Sequence, residues 1–161
     1  MPVIIAIIGL LVAVLISYDR TKRARGVAGE SEHAADDVHP IDAIEDSWIA
    51  TVGISVAAVQ MDGLWNESMY NAVLEKSQTV LGMDLDEAQG VVSLSRWIVD
   101  QGNNPHETVR RMARRLKQLE GQDAMADTVQ MIRGVCGRDG RDLSHNAKEA
   151  IETVERVMKF V

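Results

Sequence analysis

Residues 129–147 read VQMIRGVCGRDGRDLSHNA, which is an apolar helix end, an Asp-Gly loop and a serine that can cap a new helix. Residues 56–69, VAAVQMDGLWNESM, repeat this order of parts, with Asp62-Gly63 in the loop and Asn66 at the capping position. Glycine adopts the positive φ that a tight loop requires, and aspartate can bond the backbone of its own loop. The repetition predicts two helical hairpins of one design, and therefore a twofold internal pseudo-repeat.

Composition and charge favour an all-α protein. Aromatic residues make up only 4% of the 161 residues, which favours helices over a β-sandwich or barrel. The net charge is −7, and Ser47 to Val161 alone carry −3, so we expect no binding to nucleic acid. Cys136 is the single cysteine, which excludes an internal disulfide and a cysteine-based zinc site. We interpret it as a packing residue.

The N-terminal segment has the pattern of a membrane anchor. Residues 2–18, PVIIAIIGLLVAVLISY, carry no charge and form a helix of about 25 Å, close to the thickness of a bilayer core. A cleaved signal peptide would place its positive charges before the apolar run, whereas here they follow it. The flanking basic residues are Arg20, Lys22, Arg23 and Arg25.

The positive-inside rule sets the expected orientation. The basic flank remains in the cytoplasm, so the N-terminus lies outside and the C-terminal domain inside, as in a single-pass protein of the bacterial inner membrane. Between Glu30 and Asp46 the chain has seven acids and no basic residue. Residues 26–40, with two Gly, a Pro and several of these acids, have little to bury, which predicts a flexible linker. We therefore divide the chain into a transmembrane anchor at 1–18, a basic flank and acidic linker at 19–40, and an all-α domain at 41–161.

Start and stop signals predict a compact bundle of about six helices after the linker, and no strand. The helical period begins at Ile41, and the first helix should be largely apolar, with a stripe through Val52, Ser55 and Val59 and with Trp48 and Trp65 as core anchors at its ends. Gln122 or Asp123 should open the fifth helix. The capping residues that we identify for the other helices are Asn66, Asp84, Asn104 and Ser144.

One helix combines an apolar row with a cluster of positive charge. Val109, Met112 and Leu116 should point inward. We call the charged set the basic face and interpret it either as a solvated helix surface or as a docking patch for a protein partner or a lipid. The basic face consists of Arg110, Arg111, Arg114, Arg115 and Lys117.

The repeated motif VAAVQMDG and IRGVCGRDG resembles the TerB-like family, the all-helical domain named for tellurite resistance, over roughly residues 45–161. A membrane helix with a short basic flank before such a domain is also similar in layout to the membrane-anchored co-chaperones of the DjlA type. The sequence contains no J-domain and no His-Pro-Asp motif, so the resemblance does not imply co-chaperone activity.

The family resemblance also implies candidate metal ligands, because acidic residues after these loops are associated with divalent-metal binding in TerB-like domains. The matching residues here are Asp62, Glu67, Asp139 and Asp142. Neither copy keeps a Glu pair, and a hard-cation site needs several converging oxygen ligands. We expect no Ca²⁺ or Mg²⁺ binding tighter than about millimolar, and no cofactor.

Two functions are compatible with these patterns. The first is a membrane-anchored interaction module, with a cytoplasmic TerB-like domain that binds a protein partner as an accessory subunit of an inner-membrane complex. The alternative is a divalent-metal-binding protein of the envelope stress or tellurite response. We do not expect an enzyme, because His106 and His145 at helix starts have no nucleophile or base at motif spacing.

Overall fold

The computed structural model describes residues 39–63, 65–137 and 142–159. The predicted transmembrane anchor at 1–18, its basic flank and all but the last two residues of the linker at 19–40 lie outside the described residues. None of the helices in the described part is both long enough and apolar enough to cross a bilayer.

The described residues form six α-helices and no strand, which confirms the predicted fold class and helix number. Each helix is 12 to 16 residues long, the usual length in a small helical domain. The helices are α1 (Ser47–Met61), α2 (Glu67–Leu81), α3 (Leu85–Asp100), α4 (Pro105–Glu120), α5 (Met125–Cys136) and α6 (His145–Lys159).

Helix α1 is the centre of the bundle and contacts each of the other five helices. It carries no charged residue, and every residue from Ala50 to Val59 is buried. The predicted apolar stripe through Val52, Ser55 and Val59 is buried, and the other faces are buried as well, because this uncharged helix is contacted on all sides.

Small residues let the neighbouring helices approach α1 closely. A Cβ added at Gly53 would lie 2.6 Å from Sδ of Met112 in α4. Val109, Met112 and Leu116 are buried, as their spacing predicted. The core is thus built around the crossing of α1 and α4.

The first helix begins later than its apolar period suggested. Asp46 adopts an extended conformation and its Oδ1 accepts a hydrogen bond from the backbone N–H of Trp48 at 2.8 Å, so the helix starts at Ser47. Residues 40–43 form a turn instead. Ile41 and Ile44 are only 1% and 4% exposed, so their periodic spacing reflects burial of a non-helical segment.

Most of the predicted helix starts are confirmed. A cap is formed by residues close together in the sequence, so the sequence alone can identify it. Helix α5 differs, since it begins at Met125 after Ala124 with no side-chain cap, rather than at Gln122 or Asp123. The predicted capping residues whose side chains accept hydrogen bonds from first-turn N–H groups are Asn66, Asp84, Asn104 and Ser144.

The two tryptophans expected as core anchors have different environments. Trp65 packs against the core, and the guanidinium of Arg96 lies 4.9 Å from its ring centroid. Trp48 is 38% exposed, so its assignment to the core is wrong. It lies in the first turn of α1, before the fully buried stretch begins at Ala50.

Candidate functional site

The end of α1 and the start of α6 meet at the carboxylate of Asp62. Asp62 Oδ2 accepts a hydrogen bond from Ser144 Oγ at 2.6 Å, and Oδ1 accepts one from Asn146 Nδ2 at 2.9 Å. Asn146 Nδ2 also donates to the backbone carbonyl of Met61 at 2.8 Å. Ser144 Oγ in turn accepts from the backbone N–H of Ala147, so one serine both caps α6 and contacts α1. We call the set Asp62, Ser144 and Asn146 the loop junction.

The loop junction gives the first Asp-Gly pair a role that the sequence did not reveal. Gly63 has a φ of +66°, as expected for the glycine of a tight loop. We had expected the Asp62 carboxylate to bond the backbone of its own loop. Instead it accepts hydrogen bonds from Ser144 and Asn146 in the other hairpin. The physical reason is that two donors, a hydroxyl and an amide, converge on it from α6.

The candidate metal ligands do not converge in the described residues. Both oxygens of Asp62 already accept hydrogen bonds, while Glu67 and Asp142 are exposed. Asp139 lies outside the described residues. The described part contains no group of three or more His, Cys, Asp or Glu side chains that could hold a metal ion. The described residues therefore do not assemble the roughly six to eight oxygen ligands of a typical Ca²⁺ site.

Cys136 ends α5 close to the loop junction and packs against the core. Burial raises the pKa of its thiol to about 12, and the negative charge of Asp62 contributes in the same direction. The thiol is therefore protonated at neutral pH and is a weak nucleophile. This environment agrees with the interpretation of Cys136 as a packing residue.

The basic face of α4 holds the segment that leads into the bundle, residues 39–46, which we call the entry segment. Arg111 donates to the carboxylate of Asp42 through two nitrogens, with Nε at 3.1 Å from Oδ1. This pairing lowers the pKa of Asp42, chiefly through the hydrogen bond and secondarily through the charge of Arg111. Nδ1 of His39 accepts a hydrogen bond from the backbone N–H of Ile41 at 3.2 Å, which closes the turn.

Arg115 holds the same segment one helical turn further on. Its Nε donates to the backbone carbonyl of Ile44 at 2.6 Å, while Ile44 itself is buried in the core. Ser47 Oγ donates to Glu120 at the end of α4. The entry segment is therefore fixed by one ion pair, one backbone contact and two buried isoleucines.

The remaining basic residues differ in the contacts that their side chains make. Lys117 donates to the backbone carbonyl of Val157 at 2.9 Å, near the C-terminal end of α6 where a cation complements the helix dipole. Arg110 forms an exposed ion pair with Glu107. Arg114 is exposed and has no hydrogen bond or ion pair with any described residue. The five charges thus separate into three with internal contacts to the fold and two that face solvent.

Sequence reasoning identified the basic face but missed the residues that it contacts. Asp42 is 69 positions from Arg111, and only the tertiary fold brings them together. The run of acids before the bundle could have indicated this contact, because acids at the end of such a run attract a basic helix.

Comparison of the chain with models of known protein families, with curated proteins and with solved structures finds no match in any of the three. The TerB-like assignment therefore remains a proposal that rests on the motif residues in the sequence.

Proposed function

We propose that this chain is a membrane-anchored interaction module: a transmembrane helix, an acidic linker and a TerB-like bundle with two related hairpins. The bundle binds a protein partner on the cytoplasmic side of the bacterial inner membrane, as an accessory subunit of a membrane complex. The observation that carries the proposal is the uncharged run at 2–18, followed by four basic residues between positions 20 and 25.

The contacts of the entry segment support this proposal. A domain at the end of a linker needs a defined point at which the flexible chain becomes fixed. Arg111 and Arg115 provide such a point by holding Asp42 and the carbonyl of Ile44 on α4. Charge reversal at these two positions would remove contacts within the domain as well as surface charge, so a docking test uses Arg110 and Arg114 instead.

The loop junction favours the interaction module over the metal-binding alternative. Facing carboxylates repel each other unless a proton or a cation lies between them, whereas an amide donates directly to a carboxylate. Asn146 donates to Asp62 in this way, and Ser144 occupies the other oxygen. The site is satisfied by protein groups alone, so we do not propose a metal-dependent function.

Affinity purification of the full-length chain from gently solubilised membranes tests the proposal. We expect a partner to be retained in stoichiometric amount. A control chain in which an unrelated transmembrane helix replaces residues 1–18 separates partners bound by the bundle from those bound by the anchor. Recovery of the wild-type chain without any partner would refute the interaction function.

The proposed orientation has a separate test. Protease added to intact spheroplasts should leave the bundle uncut, because it lies on the cytoplasmic side. Cleavage of the bundle in intact spheroplasts, with a cytoplasmic marker protein still protected, would overturn the orientation.

A further inference from the structure

The exposed edge of α4 carries a line of hydrogen-bond donors, which we call the donor row: Arg110, Arg114 and Gln118. All three residues are exposed and follow one another at four-residue intervals, so they lie on one side of the helix. Arg114 and Gln118 also line a surface notch of about 320 Å³. Arg114 has no bonded partner among the described residues, which leaves its whole guanidinium available to a ligand.

The contacts of Gln118 orient its amide group. Arg115 Nη1 donates to Gln118 Oε1 at 3.2 Å, and Arg115 is itself held by the carbonyl of Ile44. The amide oxygen is therefore occupied, and the two N–H donors on Nε2 remain for a ligand. Arg114 and Gln118 together present donors of the kind that carboxylates bind in pairs.

The acidic residues of the notch are each paired with an arginine of α4. Asp42 is paired with Arg111, and Glu107 with Arg110. Arg110 contacts Glu107 through Nη2, so its other N–H donors remain for a ligand carboxylate while Glu107 stays paired. The donor row thus offers positive charge within a domain whose net charge is negative.

The spacing of the row selects the form of the ligand. Four residues of an α-helix rise by about 6 Å, and alternate residues of an extended chain are separated by about 6.6 Å. Side chains at alternate positions of an extended segment also point to the same side. We propose that the donor row binds an extended segment of a partner protein that carries carboxylates at alternate positions. This inference rests on the proposed function, for which it specifies the chemistry of the partner.

The test measures binding of synthetic peptides to the full-length chain in a nonionic detergent. One peptide alternates Glu and Ser, and the other has the same composition with its Glu residues in one block. We expect the alternating peptide to bind more tightly than the block peptide. Arg110→Glu combined with Arg114→Glu should weaken its binding by about tenfold, which corresponds to about 1.4 kcal/mol for the two lost contacts together.

The control variant combines Arg133→Glu with Lys148→Glu, which reverses two exposed charges on α5 and α6. This variant should bind the alternating peptide like the wild type. Equal weakening in both variants would show a general charge effect and overturn the proposal, as would equal affinity for the two peptides. Glycerol 3-phosphate serves as a soluble analogue of an anionic lipid headgroup, and row-dependent binding of that probe without peptide binding would also overturn it.

Affinity purification separates this inference from the proposed function. If the wild-type chain retains a partner and the Arg110/Arg114 variant loses it, both stand. If the variant keeps the partner, the donor row is refuted while the interaction module stands. If the wild type retains no partner, the proposed function itself fails.

Discussion

Replacement of Asp62 by alanine should destabilise the bundle without any involvement of metal. The change removes two hydrogen bonds to a carboxylate, from Ser144 at 2.6 Å and from Asn146 at 2.9 Å. Bonds to a charged group contribute about 1.5–3 kcal/mol each, and this site is only half-buried, so we expect a loss of about 2–4 kcal/mol. For a domain of this size the melting temperature should fall by about 10 °C.

Tryptophan fluorescence during urea unfolding is a suitable measurement. All three tryptophans of the chain lie in the bundle, at positions 48, 65 and 97, so the signal from the full-length protein reports the unfolding of the bundle alone. Asp123→Ala is the matched control, because Asp123 is an exposed acid and its removal should change the free energy of unfolding by less than about 0.5 kcal/mol.

A double-mutant cycle with Asn146→Ala tests the contact directly. If the two side chains bond each other, the losses should be less than additive by about 1 kcal/mol or more. The loss in Asp62→Ala should also be the same with EDTA as with added Ca²⁺. Additive losses would refute the contact, and a loss that appears only in the presence of Ca²⁺ would show that Asp62 is a metal ligand.

The remaining predictions concern a glycine, an ion pair and the thiol. Gly53→Ala should lower the free energy of unfolding by about 1 kcal/mol, because overpacking against Met112 costs about 1–3 kcal/mol while the removal of a helical glycine returns up to about 1 kcal/mol. The loss should shrink in a Met112→Ala background, and additive losses would contradict the contact. Asp42→Asn should cost about 0–1 kcal/mol at neutral pH, since its pair with Arg111 is exposed. Because Arg111 lowers the pKa of Asp42, this contribution is present above the ordinary value of 3.8 and is lost as pH falls through the lowered value, so in urea titrations the difference from the wild type should vanish in acid. Burial raises the pKa of Cys136 from 9.0 to about 12, so the thiol's contribution to stability is complete below pH 9.0 and is lost as pH rises toward 12. Iodoacetamide at mildly alkaline pH should alkylate Cys136 far more slowly in the native chain than in urea, and equal rates would contradict its burial.

The helices were predictable from the sequence because their determinants are local. A capping side chain and the N–H group that it accepts from lie within three residues of each other, as for Asn66 and Met69. The alternation of apolar and charged residues likewise assigns Val109, Met112 and Leu116 to the inner side of α4. Such features are encoded in a short stretch of chain.

The entry segment was not predictable for the opposite reason. Ile41 and Ile44 have the spacing of a helix, and the sequence alone cannot distinguish a helical turn from an irregular segment that buries the same two side chains. The hydrogen bonds from Arg111 and Arg115 hold this segment in its irregular conformation, and these arginines lie about 70 positions further along the chain. The same limit applies to Asp62, whose partner Ser144 is 82 positions away.

The loop junction shows how an Asp-Gly pair can connect two helices. Gly63 adopts the positive φ that the loop requires. Asp62 is then positioned at the end of a buried helix, where an unpaired carboxylate would be costly. A cation could compensate that charge only with further acids around it, whereas one hydroxyl and one amide compensate it with no additional ligand. Ser144 and Asn146 supply these two groups from the first residues of α6, so the bonds that satisfy Asp62 also fix the second hairpin against the first.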